Sequence, residues 1–187
     1  MTEQDTASKT AGGVFAVKTD TVWGLGAWLD DEAGIRELMS IKSRGLEDVK
    51  VFAIVLGLSD LLSGKYAALD ESAREMVTRH QDAPLTLVLP KNPEFKHWYF
   101  DNFPEIGVRF PSSESMRELA EEGVFLLTSA NRRGGEPAET AEELREIVGR
   151  EVEVYGKAVA GASGAPTTVA RIKDGQIEVL RQGEIKL

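Results

Sequence analysis

Short apolar segments alternate along the chain with amphipathic ones, and polar or glycine-containing stretches separate them. Residues 51–56 and 85–89 are almost entirely hydrophobic, which is typical of strands buried on both faces of a sheet. Between such segments, apolar residues recur at intervals of three and four, as they do in 31–41, which predicts helices. This alternation predicts an α/β domain of three layers, with helices packed on the faces of a buried sheet.

The bounds of the elements follow from where each pattern starts and stops. We predict strands over residues 14–17, 51–56, 85–89, 106–110, 124–127, 152–155, 167–172 and 177–181. We predict helices over residues 31–41, 58–63, 70–80, 113–122 and 140–148. Several begin at a residue that can cap the first turn: Asp30 or Asp31, Asp70, Ser112 or Ser113, and Thr140.

Glycine positions predict two turns. Gly24 and Gly26 follow the first strand, so we expect the chain to turn there toward the first helix. The Asp174-Gly175 pair lies between two alternating segments near the C-terminus, which predicts a tight hairpin. Such a hairpin adds antiparallel pairing, so the predicted sheet is mixed.

The composition is that of a soluble globular domain. The chain has 187 residues, of which 42% are hydrophobic and 28% charged, and no stretch approaches the length of a membrane span. We expect one domain over residues 13–187 after a disordered tail over residues 1–12. Because the first residues lack a basic end and an apolar core, we expect no signal peptide, no membrane contact and a cytoplasmic location.

Two features of the composition exclude whole classes of chemistry. The chain has no cysteine and only two histidines, which argues against thiolate catalysis, His-based triads and a dedicated metal site. The net charge of −9 argues against a broad nucleic-acid-binding surface, because such binding depends on neutralising phosphates. A local basic patch remains compatible with this charge.

Two segments allow more than one interpretation. Lys42 and Arg44 follow the first helix, where cations either complement the helix dipole or clamp a phosphate. The aromatic-rich segment Pro90–Pro104 is either a loop pinned by its own side chains or a lid over a site.

The stretch Lys18-Thr-Asp-Thr-Val-Trp-Gly-Leu-Gly26 resembles a signature of the YrdC/Sua5 family, Pro-Thr-Asp/Glu-Thr-Val-Tyr-Gly-Leu-Gly. Here Lys18 replaces the proline and Trp23 the tyrosine. Other matches follow in family order: Lys42-Ser-Arg44, Pro84-Leu-Thr-Leu-Val-Leu89, Val108-Arg-Phe-Pro111, Thr128-Ser-Ala-Asn131, Pro166-Thr-Thr-Val169 and Leu180-Arg-Gln-Gly183. The intervals from Thr21 to Arg44 and from Thr167 to Arg181 are those expected for the family.

The chain departs from the family pattern at two further positions. Gly45 stands where members have a proline, and Val55 falls near the place of a histidine seen in some members. Lys50 fills a family lysine position only with two residues inserted after Arg44, and Thr140 aligns only with one inserted residue.

The resemblance implies a three-layer α/β sandwich with a twisted mixed sheet. It also implies the activity of an L-threonylcarbamoyladenylate synthase, which condenses L-threonine, bicarbonate and ATP to threonylcarbamoyl-AMP and pyrophosphate for the modification of adenosine 37 in tRNA. Mg²⁺ would arrive with ATP. Transferase proteins that move the group onto tRNA, and a weak tRNA contact, are the partners implied.

The resemblance assigns a role to each matched residue. Lys42 and Arg44 are the implied catalytic cations. The implied ATP-binding residues are Arg44, Lys50, Thr86, Asn131, Thr140 and Arg181. The implied threonine-binding residues are Thr21, Ser129 and Thr167. Cations suit a developing pyrophosphate, and hydroxyls bind substrate without adding negative charge.

Two other functions stay open at this point. The first is an RNA-binding or maturation factor with the same fold and without this activity, which the departures at Lys18, Gly45 and Val55 allow. The second is a carbamoyl-adenylate-forming enzyme with another acceptor.

Overall fold

A computed structural model describes residues 12–42, 52–132, 134–156, 166–173 and 175–187. The nine described strands are β1 Phe15–Lys18, β2 Trp23–Trp28, β3 Ala53–Val55, β4 Leu85–Pro90, β5 Glu105–Arg109, β6 Phe125–Ser129, β7 Glu153–Tyr155, β8 Thr168–Lys173 and β9 Gln176–Arg181. The described helices are α1 Glu32–Ile41, α2 Leu58–Leu62, α3 Glu71–Arg79, α4 Glu114–Glu122 and α5 Ala141–Val148. The predicted tail and the loop predicted at 161–166 lie almost entirely outside these ranges.

The described strands form one sheet in the order β7-β1-β2-β6-β3-β5-β4-β8-β9. Three neighbouring pairs are parallel, namely β1–β7, β3–β5 and β4–β8, and the other five are antiparallel. The C-terminal hairpin pairs β8 with β9. The predicted mixed α/β sheet is therefore confirmed.

The helices begin where the sequence places a capping side chain. The side chains of Asp31, Asp70 and Ser113 each accept a hydrogen bond from a backbone N–H in the first turn of α1, α3 and α4. Thr140 and Glu143 form the predicted capping box of α5. These caps satisfy backbone donors that the helix itself leaves without partners, so local chemistry fixes where four helices start.

Each face of the sheet has its own core. On the face we call the four-helix face, side chains such as Ile54 and Leu87 pack with those of α1, α2, α3 and α5. On the opposite face, which we call the α4 face, Phe125 and Leu127 pack with Met116 and other α4 residues. Helices therefore lie on both faces, as the three-layer prediction required.

The α4 face is not buried uniformly. On β4 and β8, the residues that alternate with buried Leu87 and Ala170 are Thr86, Val88 and Val169, and these three are only half-buried. This half of the face, formed by β5, β4, β8 and β9, is called the open floor below.

The predicted turn at Gly24 and Gly26 is wrong, because both glycines lie inside β2. A Cβ atom at Gly24 would lie 2.6 Å from Leu127 Cδ1, and one at Gly26 would lie 2.6 Å from Phe15 Cε2. These positions need glycine because neighbouring side chains fill the space, as happens where packing is close within a sheet. The chain turns earlier, at residues 19–22.

The aromatic segment after β4 packs into the core of the four-helix face. Phe95, Tyr99 and Phe100 are buried there. The Tyr99 hydroxyl accepts a hydrogen bond of 3.1 Å from the Phe52 N–H. The structure thus favours the loop pinned by its aromatics over the lid. None of the described helices combines the length and the hydropathy that a bilayer-spanning segment needs.

Candidate active site

A buried turn of two threonines carries the first part of the candidate site. The Thr19 hydroxyl donates to the Val22 carbonyl at 2.6 Å and accepts from the backbone N–H groups of Thr21 and Val22, both at 3.2 Å. Its single proton is thereby used, so Thr19 does not donate to the Thr21 hydroxyl, which lies 3.0 Å away. Thr21 keeps an oxygen lone pair that can accept a further hydrogen bond.

Arg109, at the end of β5, reaches this turn. Its Nη2 donates to Asp20 Oδ1 at 2.7 Å and to Thr21 Oγ1 at 3.3 Å. Only 9% of Arg109 is exposed, and its buried Nε has no hydrogen-bond partner among the described residues. A buried donor without a partner destabilises the folded protein by about 1–3 kcal/mol, and a ligand that supplies the acceptor would remove this destabilisation. Arg109 is therefore a candidate anion-binding group.

The electrostatics of Arg109 agree with this assignment. Burial lowers the pKa of the Arg109 guanidinium, the Asp20 carboxylate opposes the shift, and the nearby positive charge of Arg181 adds to it. Arginine side chains in proteins are effectively always protonated, so Arg109 carries a positive charge. The Arg109 and Arg181 guanidiniums lie close enough for their charges to interact, and we call the space between them the cleft. An anion bound there would reduce the repulsion between the two charges.

The twist of the sheet explains why Arg109 meets this turn. Pairing runs across β2, β6, β3 and β5 through Trp28, Phe125, Val55 and Arg109. By this register Arg109 lies level with Trp28, at the far end of β2 from the turn. Strand twist accumulates across a sheet and lifts diagonally opposite corners toward the same face. The turn and Arg109 lie at opposite ends of strands that are three positions apart in the sheet, so the same twist brings them toward one another.

A second group of predicted residues lies beside Arg109 in one row of the sheet. Thr86 pairs with Arg109 on one side and with Val169 on the other, and Val169 pairs with Arg181. The hydroxyls of Thr86 and Thr167 are 3.3 Å apart. Thus Thr86, Thr167 and Arg181 converge near Arg109.

Arg181 is held by Thr167. Its Nε and Nη2 donate to the Thr167 carbonyl at 3.2 and 2.9 Å, and Nη2 also lies 3.1 Å from the Thr167 hydroxyl. Partial burial lowers the pKa of Arg181. The residue is exposed, and its guanidinium is held in place by Thr167.

The third group is formed by Lys42, Ser129 and Asn131. Lys42 is only 3% exposed, and its Nζ donates to the carbonyls of Ser129 and Asn131 at 2.9 and 2.6 Å and to Asn131 Oδ1 at 2.5 Å. The Asn131 Oδ1 also accepts from the Ser129 hydroxyl at 2.7 Å. These contacts make Lys42 the anchor of this loop, while its catalytic role stays a prediction.

We expect Lys42→Met to reduce the free energy of unfolding by about 1–3 kcal/mol, because three oxygens would lose a charged donor in a buried place. Chemical denaturation of the variant and the wild type measures this. Lys91→Met is the matched control, since Lys91 Nζ donates to a single carbonyl, that of Phe100. Equal stability of the two variants would contradict the anchoring role.

The third group is attached to the first through β2. Ser129 pairs with Gly24, and the Ala130 N–H donates to the Trp23 carbonyl at 2.8 Å. The loop that holds Ser129 and Asn131 thus begins beside the strand that leaves the threonine turn. Thr140 differs from these residues, because it is exposed and its described hydroxyl contact is the cap of α5. Arg44, Gly45 and Lys50 lie outside the described residues.

Two of the departures from the family pattern form a pair. Lys18 and Trp23 are cross-strand partners at the end of the β1–β2 hairpin, and Lys18 Nζ lies 4.6 Å from the centre of the Trp23 ring. Such cation–π contacts stabilise a strand pair. Val55 is fully buried against the α4 core, so its position offers the cleft no polar group.

Sequence reasoning assigned no role to Arg109 or Asp20 and considered Ser112 only as a helix cap, a role that Ser113 fills. The Val108–Pro111 segment was matched to the family, yet the charge within it was passed over. The available signal was an arginine in register with buried apolar residues of a strand, because such a side chain is rarely buried without an anionic partner. Asp20 is that partner.

Comparison with known proteins identifies the family. The sequence profile of the Sua5/YciO/YrdC family, described as telomere recombination, matches residues 9–183. A threonylcarbamoyl-AMP synthase of Sodalis glossinidius (strain morsitans) is 31% identical over 174 residues, which cover 91% of this chain and 89% of that protein.

Two solved structures have the same fold. The crystal structure of P. abyssi Sua5 complexed with L-threonine superposes with a TM-score of 0.77 and 27% identity, covering 92% of this chain and 51% of that one. The crystal structure of E. coli YciO superposes with a TM-score of 0.76 and 24% identity, covering 92% and 84%. Together with the matched profile, these likenesses place the chain in the Sua5/YciO/YrdC family.

Proposed function

We propose that this chain is an L-threonylcarbamoyladenylate synthase, a nucleotidyltransferase that uses L-threonine, bicarbonate and ATP. The observation that carries the proposal is the buried Arg109 guanidinium, whose Nη2 contacts the Thr21 hydroxyl, whose Nε has no partner among the described residues, and whose charge lies near that of Arg181. An amino-acid carboxylate there would complete the hydrogen bonds of Arg109. Relatives named as threonylcarbamoyl-AMP synthases, and a relative crystallised with L-threonine, support this substrate.

The acceptor end of the cleft is assigned to Thr21, Thr167 and Ser129, with Arg109 added for the carboxylate. A guanidinium binds a carboxylate better than an ammonium does, because its N–H groups form a planar fork. The Thr21 hydroxyl lies 3.3 Å from the Arg109 Nη2, so one small ligand can contact both groups. The spare acceptor lone pair of Thr21 suits the N–H of the bound amino acid or its carbamate.

The nucleotide end is assigned to Thr86, Asn131, Thr140 and Arg181, together with Arg44 and Lys50 outside the described residues. Arg181 lies two row positions from Thr86, with Val169 between them. Its charge suits a phosphate, and the half-buried Val88 and Val169 of the open floor suit the nucleoside. Mg²⁺ would be carried by ATP.

The reaction has two steps in which atoms balance. The amine of threonine condenses with bicarbonate to a carbamate and water. A carbamate oxygen then attacks the α-phosphorus of ATP, and the bond to the bridging oxygen of the β-phosphate breaks, releasing pyrophosphate. The protein contributes alignment of two anionic reactants and cations for the charge on the leaving group. Arg181 supplies such a positive charge at the nucleotide end, and Arg109 supplies one for the carboxylate of the acceptor.

The proposed product serves the N6-threonylcarbamoyl modification of adenosine 37 in tRNA. Transfer of the group onto tRNA would need partner proteins, since the cleft assigned here activates threonine and takes no part in that step. A weak contact with tRNA stays part of the proposal.

The activity is tested by incubating the purified chain with ATP, bicarbonate and threonine and measuring pyrophosphate. We expect release that depends on threonine and on bicarbonate. No release, together with salt-sensitive RNA binding, would support the maturation-factor alternative. Release without dependence on threonine would instead support another acceptor.

The open floor offers a specific test of the nucleotide end. Gly107 lies in the row next to Arg109, and a Cβ there would meet only Thr86 Cγ2 at 3.7 Å and Ala53 Cα at 3.9 Å within 4 Å. A larger side chain is therefore tolerated by the strand and projects over the floor. We expect Gly107→Val to retain the melting temperature and to raise the KM for ATP about tenfold, a loss comparable to one good contact.

The control for Gly107→Val is Gly57→Val, at a position where no heavy atom lies within 4 Å of the added Cβ. That variant should leave both KM values unchanged. An unchanged KM for ATP in a folded Gly107→Val variant would show that the nucleoside does not bind over the open floor.

A further inference from the structure

Asp20 pairs with the Arg109 guanidinium, and its negative charge offsets part of the positive charge that Arg109 and Arg181 bring to the site. Its Oδ1 accepts from Arg109 Nη2 at 2.7 Å, and its Oδ2 accepts from the Ser112 hydroxyl at 2.8 Å. The Asp20 side chain is 20% exposed and that of Arg109 is 11% exposed, so this ion pair is largely shielded from water. Both carboxylate oxygens are thus fixed beside the proposed carboxylate site.

From this arrangement we propose that Asp20 is a specificity-determining residue, which makes the cleft accept amino acids with an uncharged side chain and reject those with a second carboxylate. The proposal rests on the proposed function, because it concerns the acceptor bound at Arg109. It extends that function by naming a charge rule for the acceptor and the residue that enforces it.

The charge balance of the described cleft is the first argument. Arg109 and Arg181 contribute two positive charges, and Asp20 contributes one negative charge. One anionic group, either the carboxylate of a bound amino acid or a phosphate of ATP, neutralises the remainder. A second carboxylate would meet the Asp20 charge at short range in a shielded place, where like charges interact several times more strongly than in water.

The contacts of Asp20 are the second argument. If Asp20 served only to hold Arg109, one carboxylate oxygen would suffice. The second oxygen is occupied by Ser112, and the Ser113 hydroxyl donates to the Lys18 carbonyl at 3.2 Å just before α4. The carboxylate is therefore held from two sides and does not swing away when a second anion enters. A fixed charge excludes a wrong ligand better than a mobile one does.

A purely structural role for Asp20 makes a different prediction. Asp20→Asn keeps the size of the side chain and an oxygen for Arg109, and the Ser112 hydroxyl can rotate to accept from the new amide. The substitution therefore removes the charge with little change in shape. A structural role predicts no change in the choice among ligands of equal shape, whereas the charge rule predicts a change.

The test compares L-asparagine with L-aspartate, which share a shape and differ by one negative charge. Binding of each to the full chain is measured by isothermal titration calorimetry, with L-threonine as the reference. We expect the wild type to bind asparagine at least tenfold more tightly than aspartate, and Asp20→Asn to reduce this ratio about tenfold. Ser112→Ala should reduce the ratio less than Asp20→Asn does, because it keeps the charge of Asp20 and frees only its second oxygen. Glu114→Gln should leave the ratio within twofold, because it removes an exposed charge.

Several outcomes would overturn the charge rule. Equal affinities of the wild type for asparagine and aspartate would do so without any variant. An unchanged ratio in folded Asp20→Asn would do so as well, as would equal losses for both ligands in Asp20→Asn and Ser112→Ala. Because the readout is binding, a wild type that discriminates between the ligands and releases no pyrophosphate would refute the proposed function and leave the charge rule supported.

Discussion

Arg109→Lys is expected to lower kcat/KM for L-threonine about 10²–10³-fold, the usual loss when a preorganised charged donor is removed from an active site. Lysine keeps the positive charge but lacks the planar fork, so it cannot form two parallel hydrogen bonds to a carboxylate while it also pairs with Asp20. Most of the loss should come from a higher KM for threonine, because the group binds the acceptor. Initial rates of pyrophosphate release at varied threonine measure it.

Arg79→Lys, at an exposed position on α3, provides the matched control and should retain full activity. The more drastic Arg109→Ala would also destabilise the fold by about 3–5 kcal/mol, since it leaves the partner charge of Asp20 uncompensated. Full activity of a folded Arg109→Lys variant would show that the threonine carboxylate binds elsewhere.

Gly26→Ala is expected to reduce the free energy of unfolding by about 3 kcal/mol, the upper end of the range for overpacking. The added Cβ would lie 2.6 Å from Phe15 Cε2 and 3.0 Å from the Leu126 carbonyl oxygen, so a buried ring and a strand must both shift. For a domain of this size, such a loss lowers the melting temperature by about 6–12 °C.

The same substitution at Gly57 tests whether the loss at Gly26 comes from packing. Gly57 has ordinary backbone angles for an L-residue and no heavy atom within 4 Å of the added Cβ. We expect Gly57→Ala to change the melting temperature by less than about 2 °C, as surface substitutions usually do. Similar melting temperatures for the two variants would mean that β2 has room at Gly26.

Local chemistry made the helices and their starts predictable from the sequence. A single side chain such as Asp70 or Thr140 caps a helix through contacts within three residues, so no knowledge of the fold is required. The buried strands β4 and β6 were equally predictable from the sequence, because continuous apolar segments of this length fit a sheet covered on both faces. The three-layer mixed sheet follows from their alternation.

Strand β2 could not be predicted, because its glycines are typical of turns. The segment Trp23–Trp28 lacks the alternation of a half-buried strand. Its glycines are explained only by Leu127 and Phe15, side chains that approach from other strands. A sequence pattern contains no record of such neighbours, so the turn was placed too late in the chain.

The candidate site was predictable as a set of residues and not as an arrangement. Family motifs pointed to Thr21, Thr167 and Arg181, but they did not indicate that Arg109 joins them. The contact between Arg109 and Asp20 joins residues that are 89 positions apart in the chain, and it depends on the twist of the sheet between them. Twist is a property of the assembled strands, so only the structure reveals the ion pair and the unsatisfied Nε–H.

The most direct measurement is a crystal structure of the chain grown with L-threonine. We predict a threonine carboxylate within about 2.7–3.2 Å of Arg109 Nε, a normal hydrogen-bond distance, with the amino group on the side of the Thr21 hydroxyl. Threonine bound away from Arg109, or a cleft in which Arg109 Nε still has no acceptor at saturating threonine, would contradict the account.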